Sequence, residues 1–176
     1  MNGSSIERVN REMNAEIQIR GRFITMSCDI EYTLLNIMAY SAPDPNNQIR
    51  RFKNMMMHEK INCTIADLKN HKPQYYDEYK DYLDKLYSFK EWRNDFCHYK
   101  MNFPDKEDLS KFDMVFVDEE GGIEGVKLRH YTISLYNEAI TNFKKLNWKL
   151  VQLWMELKKG FDNDLERPLV HPNTRK

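Results

Sequence analysis

The last third of the chain carries a long amphipathic pattern, and this pattern limits the folds that are open to the sequence. From about Ile133 to Lys159 an apolar residue recurs every three or four positions. The apolar positions are Tyr136, Ala139, Ile140, Phe143, Leu146, Leu150, Leu153, Trp154 and Leu157. This spacing places them in one stripe along an α-helix, with Thr132 as N-cap and Gly160 as its end. A stripe of that length has to be covered by other long helices.

Two further segments show helical spacing. The first predicts a helix from Ser5 to about Tyr40, with Ser4 or Ser5 as its N-cap. Its stripe contains Ile6, Val9, Met13, Ile17, Ile24, Cys28, Leu34, Leu35 and Met38. The second predicts a helix from Pro73, which suits a first helical turn, to about Met101. Its stripe contains Tyr76, Tyr79, Leu83, Leu86, Phe89 and Phe96.

A shorter helix is predicted between these two. The segment SAPDPNN, residues 41–47, breaks the first helix and offers an aspartate as a cap for the next one. The short helix then runs from about Asn46 to Lys60. Its inward residues are Ile49, Phe52, Met56 and Met57. Residues 61–72 are less periodic and are predicted to be a connection with at most one helical turn.

Residues 113–128 favour β-strands over a helix and predict a β-hairpin. The β-favouring runs MVFV and IEGVKL flank DEEGG, which is a typical hairpin turn sequence. A lone hairpin is marginally stable, so this one must pack on the helices. The prediction is an all-α domain, an antiparallel four-helix bundle with a small β-hairpin inserted before the last helix. One domain spans residues 1–160, and residues 161–176 form a polar C-terminal tail.

The charge and cysteine content limit the partners and the cellular compartment that we expect for this protein. Basic and acidic residues number 27 each, so contact with nucleic acid has to rely on a local patch and not on bulk charge. The three cysteines are an odd number without paired spacing, which indicates reduced thiols. No N-terminal signal peptide is recognisable, and no apolar run approaches the ~20 residues of a membrane span. We therefore expect a cytoplasmic protein with no membrane contact.

One group of residues near the end of the helix predicted from Pro73 has side chains that are suited to phosphate binding and proton transfer. Arg93, Asn94 and His98 lie within six positions, and Asn94 and His98 share a face one turn apart. Arg93 lies about 140° around the helix, but its long side chain can reach across. Arginine binds phosphate through a planar fork of donors, and histidine moves a proton near neutral pH. Together they suit metal-independent RNA cleavage, in which the histidine assists the 2′-hydroxyl or the leaving oxygen.

The spacing alone is a weak signal, because a second pair exists at Arg51 and His58. That pair lies on the short helix, and Phe52 follows its arginine. The first pair lies late in a long helix, and a polar residue follows its arginine. We therefore favour the first pair.

The segment Arg93-Asn94-Asp95-Phe96-Cys97-His98, so placed in a helical bundle, resembles the Arg-x4–6-His motif of the HEPN superfamily. In that family Asn, Asp or His commonly follows the arginine, as Asn94 does here. An acid on the first long helix is also common, and Glu31 is the counterpart. The resemblance extends over the helical architecture, roughly residues 5–160.

The resemblance implies a homodimer in which two motifs face one another and form a shared site for cleaving RNA, which we expect to be single-stranded. It further implies a toxin or defence ribonuclease without cofactor, restrained in some members by an antitoxin or regulatory protein. Some toxins of the family carry a modified tyrosine two positions after the histidine. Here Tyr99 follows His98 directly and Lys100 occupies that place, so this control is not implied.

Other interpretations of the same residues stay open. Glu31 is either an acid at the edge of its stripe that reaches solvent, or a partly buried acid that pairs with an arginine. The whole chain is alternatively a non-catalytic helical module that binds a partner protein, RNA or a nucleotide. A metal site made of His58, Cys63, Cys97 and His98 lacks standard spacing. A Cys97 nucleophile would need a base from elsewhere, since adjacent helical residues diverge.

Overall fold

The computed structural model describes residues 3–42, 44–105, 107–117 and 126–166. These residues form five α-helices and a three-stranded antiparallel sheet. In chain order the elements are α1 (Gly3–Ser41), α2 (Pro45–Phe52), α3 (Met57–His71), α4 (Pro73–His98), β1 (Lys100–Asn102), β2 (Lys111–Val117), β3 (Val126–Thr132) and α5 (Ile133–Glu166). The prediction of a mainly helical fold is confirmed in this broad form.

The chain divides into two compact units. The first combines Met1–Glu31 with Asp84–Asn147, and the second combines Tyr32–Leu83 with Trp148–Lys176. The helices α1, α4 and α5 each contribute residues to both units, while the sheet belongs to the first unit and α2 and α3 belong to the second. The predicted single domain over residues 1–160 stays a prediction.

The first unit is built around stacked aromatic rings. Phe23 of α1 is fully buried and stacks on Phe96 of α4 with ring centroids 4.8 Å apart. Phe89 and Trp92, also on α4, stack on the same ring at 6.0 and 6.5 Å. Such rings bury a large apolar area and add ~1 kcal/mol per well-oriented pair. They fix the rotation of α4 against α1 within this unit.

The sheet of the first unit has the strand order β1-β2-β3. In the central strand Phe112 and Met114 are fully buried, and Met114 lies opposite Met101 and Arg129 on the two flanking strands. Asp113, between Phe112 and Met114, is also buried, at 6% exposure, so β2 does not show the simple alternation of a half-buried strand. The hairpin prediction is confirmed for its two strands, and β1 is a third strand that the sequence analysis did not foresee. The predicted turn DEEGG, residues 118–122, lies outside the described residues.

The second unit is entirely helical in its described part. Its buried apolar residues are Leu34, Ile37, Met38, Ala39, Ala42, Phe52, Met57, Ile61, Leu68, Tyr79, Leu83, Leu150, Leu153 and Leu157. The hydroxyl of Tyr79 donates to Oε1 of Glu156 at 3.0 Å. Asp44 caps α2 as predicted, because its carboxylate accepts a hydrogen bond from the backbone N–H of Asn47 at 3.1 Å.

The stripes of α4 and α5 are confirmed, but two helix ends differ from the prediction. Helix α4 ends at His98 and not near Met101, which lies in β1. Helix α5 passes through Gly160 and ends at Glu166. One glycine costs a helix ~1 kcal/mol, and the contact of Phe161 with Tyr40, at 5.5 Å between ring centroids, offsets this cost.

The predicted inward stripe of the N-terminal half of α1 is wrong. Ile6, Val9, Met13 and Ile17 are 49–61% exposed. The buried positions of this helix are Ile19, Phe23, Met26, Ile30, Leu34 and Ile37. The helix therefore carries two apolar stripes, roughly 120° apart, and the one that contains the phenylalanine faces the core. It also begins at Gly3, so Ser4 and Ser5 are helical residues and not caps.

The region of the short helix is also corrected. The predicted single helix is interrupted after Phe52, and α3 then continues through residues 61–71, which were expected to be a connection. Ile61, Thr64 and Leu68 supply a buried stripe with helical spacing. Met56 precedes α3 and is 70% exposed, so it does not point inward as expected. In the described residues, no helix is long and apolar enough to cross a membrane.

The cap of α5 gives a test of this fold. The hydroxyl of Thr132 accepts a hydrogen bond from the N–H of Leu135 at 3.1 Å. We expect Thr132→Ala to lower the free energy of unfolding by about 1 kcal/mol, because an orphan donor loses its partner. The matched control is Thr141→Ala in the middle of α5, where the hydroxyl only bonds back to Asn137 O and alanine favours the helix. Urea denaturation measures both, and equal effects would contradict the cap.

Candidate functional site

Three of the predicted site residues meet at the end of α4 in the first unit. Nη1 of Arg93 lies 3.1 Å from Nε2 of His98. Nη2 of the same guanidinium lies 3.7 Å from Oε1 of Glu31 on α1. The side chains of Glu31 and Arg93 are about one quarter exposed, and His98 is exposed. The structure thus brings Glu31, Arg93 and His98 into one chain of contacts, and Glu31 is the partly buried, paired acid of the two alternatives.

The contact between Arg93 and His98 is compatible with one tautomer of the imidazole. A guanidinium only donates hydrogen bonds, so this contact is a hydrogen bond in the tautomer that carries its proton on Nδ1 and accepts at Nε2. The lone pair that would take a proton is thereby directed at Arg93. An incoming phosphate competes for the same guanidinium, and its binding would release the imidazole nitrogen.

Arg93 also has one unpaired N–H donor. Its Nε is buried and has no hydrogen-bond partner among the described residues. An unsatisfied buried donor costs ~1–3 kcal/mol. The guanidinium is therefore held at its tip by Glu31 and His98 while one edge remains unpaired, and an acceptor oxygen that reached this edge would be stabilised.

Asn94 is the fourth predicted site residue. It is half-buried and lies one helical turn before His98 on α4. No hydrogen bond to its side chain is present in the described part of the chain, so the structure does not join it to Arg93 or His98. Its positioning role stays a prediction.

Asp95 is the residue that the sequence analysis missed. Its carboxylate is 2% exposed and accepts two hydrogen bonds from Nη1 of Arg129, at 2.7 and 2.8 Å. The hydroxyl of Tyr131 donates a third. These contacts raise the pKa of Arg129, and burial together with the Asp95 contact raises the pKa of Tyr131. A buried carboxylate is tolerated only when paired and hydrogen-bonded, and β3 supplies both partners.

A second contact holds the end of α4. The guanidinium of Arg20 on α1 donates to the carbonyl oxygen of Phe96 at 2.6 Å and to that of Tyr99. Its Nε pairs with Glu16 at 2.6 Å. The last carbonyls of a helix have no partner within the helix, and here a distant arginine satisfies them.

Cys97 lies inside the motif but is a poor nucleophile. Burial raises the pKa of its thiol, and the neighbouring Arg93 only partly opposes this effect. A raised pKa lowers the thiolate fraction at neutral pH, and the thiolate is the reactive species. In the described residues, no group of three or more His, Cys, Asp or Glu side chains is arranged to hold a metal ion.

Comparisons with models of known protein families, with curated proteins and with solved structures found no match to this chain. The case for a function therefore depends on the chemistry and geometry of the residues themselves.

The buried carboxylate gives a prediction for the site. We expect Asp95→Asn to lower the free energy of unfolding by about 2 kcal/mol, because Arg129 loses a charged partner and one acceptor becomes a donor. The value is below that of a fully buried pair, since the Arg129 side chain is 45% exposed. The matched control is Asp81→Asn, an exposed position of the same helix, which should change stability by less than ~0.5 kcal/mol. Chemical denaturation that ranks the two variants equally would contradict the buried network.

Proposed function

We propose that this chain is a HEPN-like, metal-independent endoribonuclease of the toxin or defence type. It would be a cytoplasmic protein with a four-helix-bundle HEPN domain, acting on single-stranded RNA at a site shared across a homodimer. The observation that carries the proposal is the 3.1 Å contact of Arg93 with His98 at an exposed helix end. It places an arginine that can bind phosphate beside a histidine that can transfer a proton.

In the proposed reaction, the phosphate of the RNA binds Arg93 and frees Nε2 of His98. The imidazole then takes the proton of the ribose 2′-hydroxyl, and the 2′-oxygen attacks phosphorus. The bond from phosphorus to the 5′-oxygen breaks, which leaves a 2′,3′-cyclic phosphate and a 5′-hydroxyl. Arg93 stabilises the charge on the phosphoryl oxygens, and Glu31 holds Arg93 in place.

The departing 5′-oxygen needs a proton, and one imidazole cannot be base and acid in the same step. A site shared by two protomers supplies two copies of His98: one is neutral and takes the proton of the 2′-hydroxyl, and the other enters protonated and gives its proton to the departing 5′-oxygen. Asn94 would orient one of these groups. The proposed reaction therefore uses both protomers of a homodimer.

The surface of α1 supports such a dimer. The exposed residues Ile6, Met13, Ile17 and Ile24 lie in line along one side of the helix. Glu31 follows Ile24 by two turns and so continues that line into the candidate site. Four large apolar side chains that are 43–61% exposed in one line fit a surface for self-association, because contiguous apolar patches on a protein surface are often functional.

The first test is cleavage of single-stranded RNA in the presence of EDTA. We expect His98→Ala to lower kcat at saturating RNA by at least ~100-fold, because the general base is lost. The matched control is His58→Ala, another exposed histidine, seven positions after Arg51, which should retain wild-type kcat. Equal activity of wild type and His98→Ala, or dependence on added metal, would refute the proposal.

The second test concerns the dimer. We expect Met13→Lys combined with Ile17→Lys to convert the dimer to a monomer, because two charges would be buried without partners in the interface. The control pair Asn14→Lys and Gln18→Lys adds the same charge one position further along α1, at residues that are also exposed. Sedimentation velocity measures the masses. A monomeric wild type, or dissociation by both pairs alike, would contradict the assigned surface.

A second candidate function is a non-catalytic module that binds a partner protein, RNA or a nucleotide. The observation that favours it is that Glu31 and His98 already occupy Arg93 within the protomer. The cleavage assay separates the two functions, since the module binds without cutting. A regulatory or antitoxin protein would fit either candidate.

A further inference from the structure

The charge of this chain is unevenly distributed. Residues 45–72, which contain α2 and α3, hold six of the 27 basic residues but two of the 27 acidic ones. The rest of the chain therefore has 21 basic and 25 acidic residues. A neutral protein thus has one segment with a net charge of +4, balanced by −4 elsewhere.

Four of the six basic residues of this segment lie at or near the end of α2. Arg50 and Arg51 lie in its last turn, and Lys53 follows as its C-cap. Nζ of Lys60 on α3 lies 4.7 Å from the ring centroid of Phe52. Because Phe52 is the last residue of α2, Lys60 also lies near the end of this helix. We refer to Arg50, Arg51, Lys53 and Lys60 as the α2–α3 basic surface.

The two acids of the segment leave it with a net charge of +4. Glu59 accepts a hydrogen bond from the N–H of Met56 at 2.6 Å, so its carboxylate stabilises the N-terminus of α3. Asp67 is half-buried, and burial raises the pKa of its carboxyl while the neighbouring Arg51 and His71 act in the opposite direction. Arg50 and Lys53 are exposed and form no ion pair with any other residue that the structure describes. Their charges are available to a ligand.

We propose that the α2–α3 basic surface binds the phosphate backbone of single-stranded RNA. This inference rests on the proposed function for the choice of ligand, and it adds a binding surface in the second unit to the site at Arg93 and His98 in the first. Arginine and lysine together suit a row of phosphates, because Arg51 and Arg50 offer forked donors and the lysines offer mobile point charges.

Neighbouring groups fit the same ligand. Asn46, Asn47 and Asn54 flank the surface and are exposed, and side-chain amides donate to phosphate and sugar oxygens. Met56 is the one strongly exposed large apolar residue within the described part of residues 45–72. A membrane surface would require a broader apolar face for insertion, so a hydrated polyanion is the better match.

The test measures binding without cleavage. All variants carry His98→Ala, and fluorescence anisotropy follows their binding to a labelled single-stranded RNA over a range of salt concentrations. The surface variant is Arg50→Glu with Lys53→Glu. The matched control is Lys158→Glu with Lys159→Glu, two exposed lysines of the same unit on α5. Thermal unfolding of each variant shows whether it is folded.

We expect the surface variant to bind RNA at least ~10-fold more weakly at low salt, while the control stays within about twofold. The slope of log affinity against log salt should fall by about 1.4, since each phosphate contact on a single strand contributes about 0.7. Equal affinities of the two folded variants, or an unchanged slope, would overturn the proposal. So would binding by every variant to anionic lipid vesicles and not to RNA.

The outcomes are separable from those of the cleavage assay. RNA binding that depends on Arg50 and Lys53, in a chain whose wild type does not cleave RNA, would keep the surface and refute the nuclease. Cleavage that depends on His98, with full RNA affinity in the surface variant, would keep the nuclease and refute the surface.

Discussion

The structure around the candidate site depends on one buried carboxylate. Asp95 lies between Arg93 and His98 in the sequence, and its side chain is buried in the first unit, where Arg129 and Tyr131 hold it. A charge without water needs all its acceptors filled. At the rotation of α4 that pairs this carboxylate with β3, Arg93 reaches Glu31 and His98 stays exposed. The strands between α4 and α5 thus have a clear structural role, because β3 carries both partners of the carboxylate.

Much of the helical fold could be predicted from the sequence, for a physical reason that α5 illustrates. Its apolar residues form a single stripe, so only one face can turn inward. Helix α1 has two stripes, and the sequence offers no rule for choosing between them until the aromatic partners of Phe23 on α4 are known. The sequence also does not show that α5 continues through Gly160, because the contact that favours this continuation joins Phe161 to Tyr40, a residue distant in the chain. Errors therefore occur where residues distant in the chain determine a local choice.

Part of the candidate site could be predicted because two of its residues are close together in the sequence. Arg93 and His98 lie on one helix, and the reach of an arginine side chain is enough to connect them. For Glu31 the sequence left two alternatives open, an acid that reaches solvent and an acid that pairs with an arginine, and the structure shows the second. Asp95 was not, because its partners lie 34 and 36 positions away, on a strand whose pairing could not be fixed from sequence. One signal was present, namely an acidic residue directly before the fully buried Phe96 in an aromatic stripe.

The contacts of Arg20 have a consequence for the motion of the site. Helix ends normally fray, because their last carbonyl oxygens are solvated. Here those of Phe96 and Tyr99 are bound by a side chain from α1, so the last turn of α4 can unwind only if α1 releases it. The backbone that carries His98 should then exchange its amide protons nearly as slowly as the interior does, although the imidazole itself faces water. A rigid main chain beneath a solvated base favours an imidazole that is already oriented before any ligand arrives.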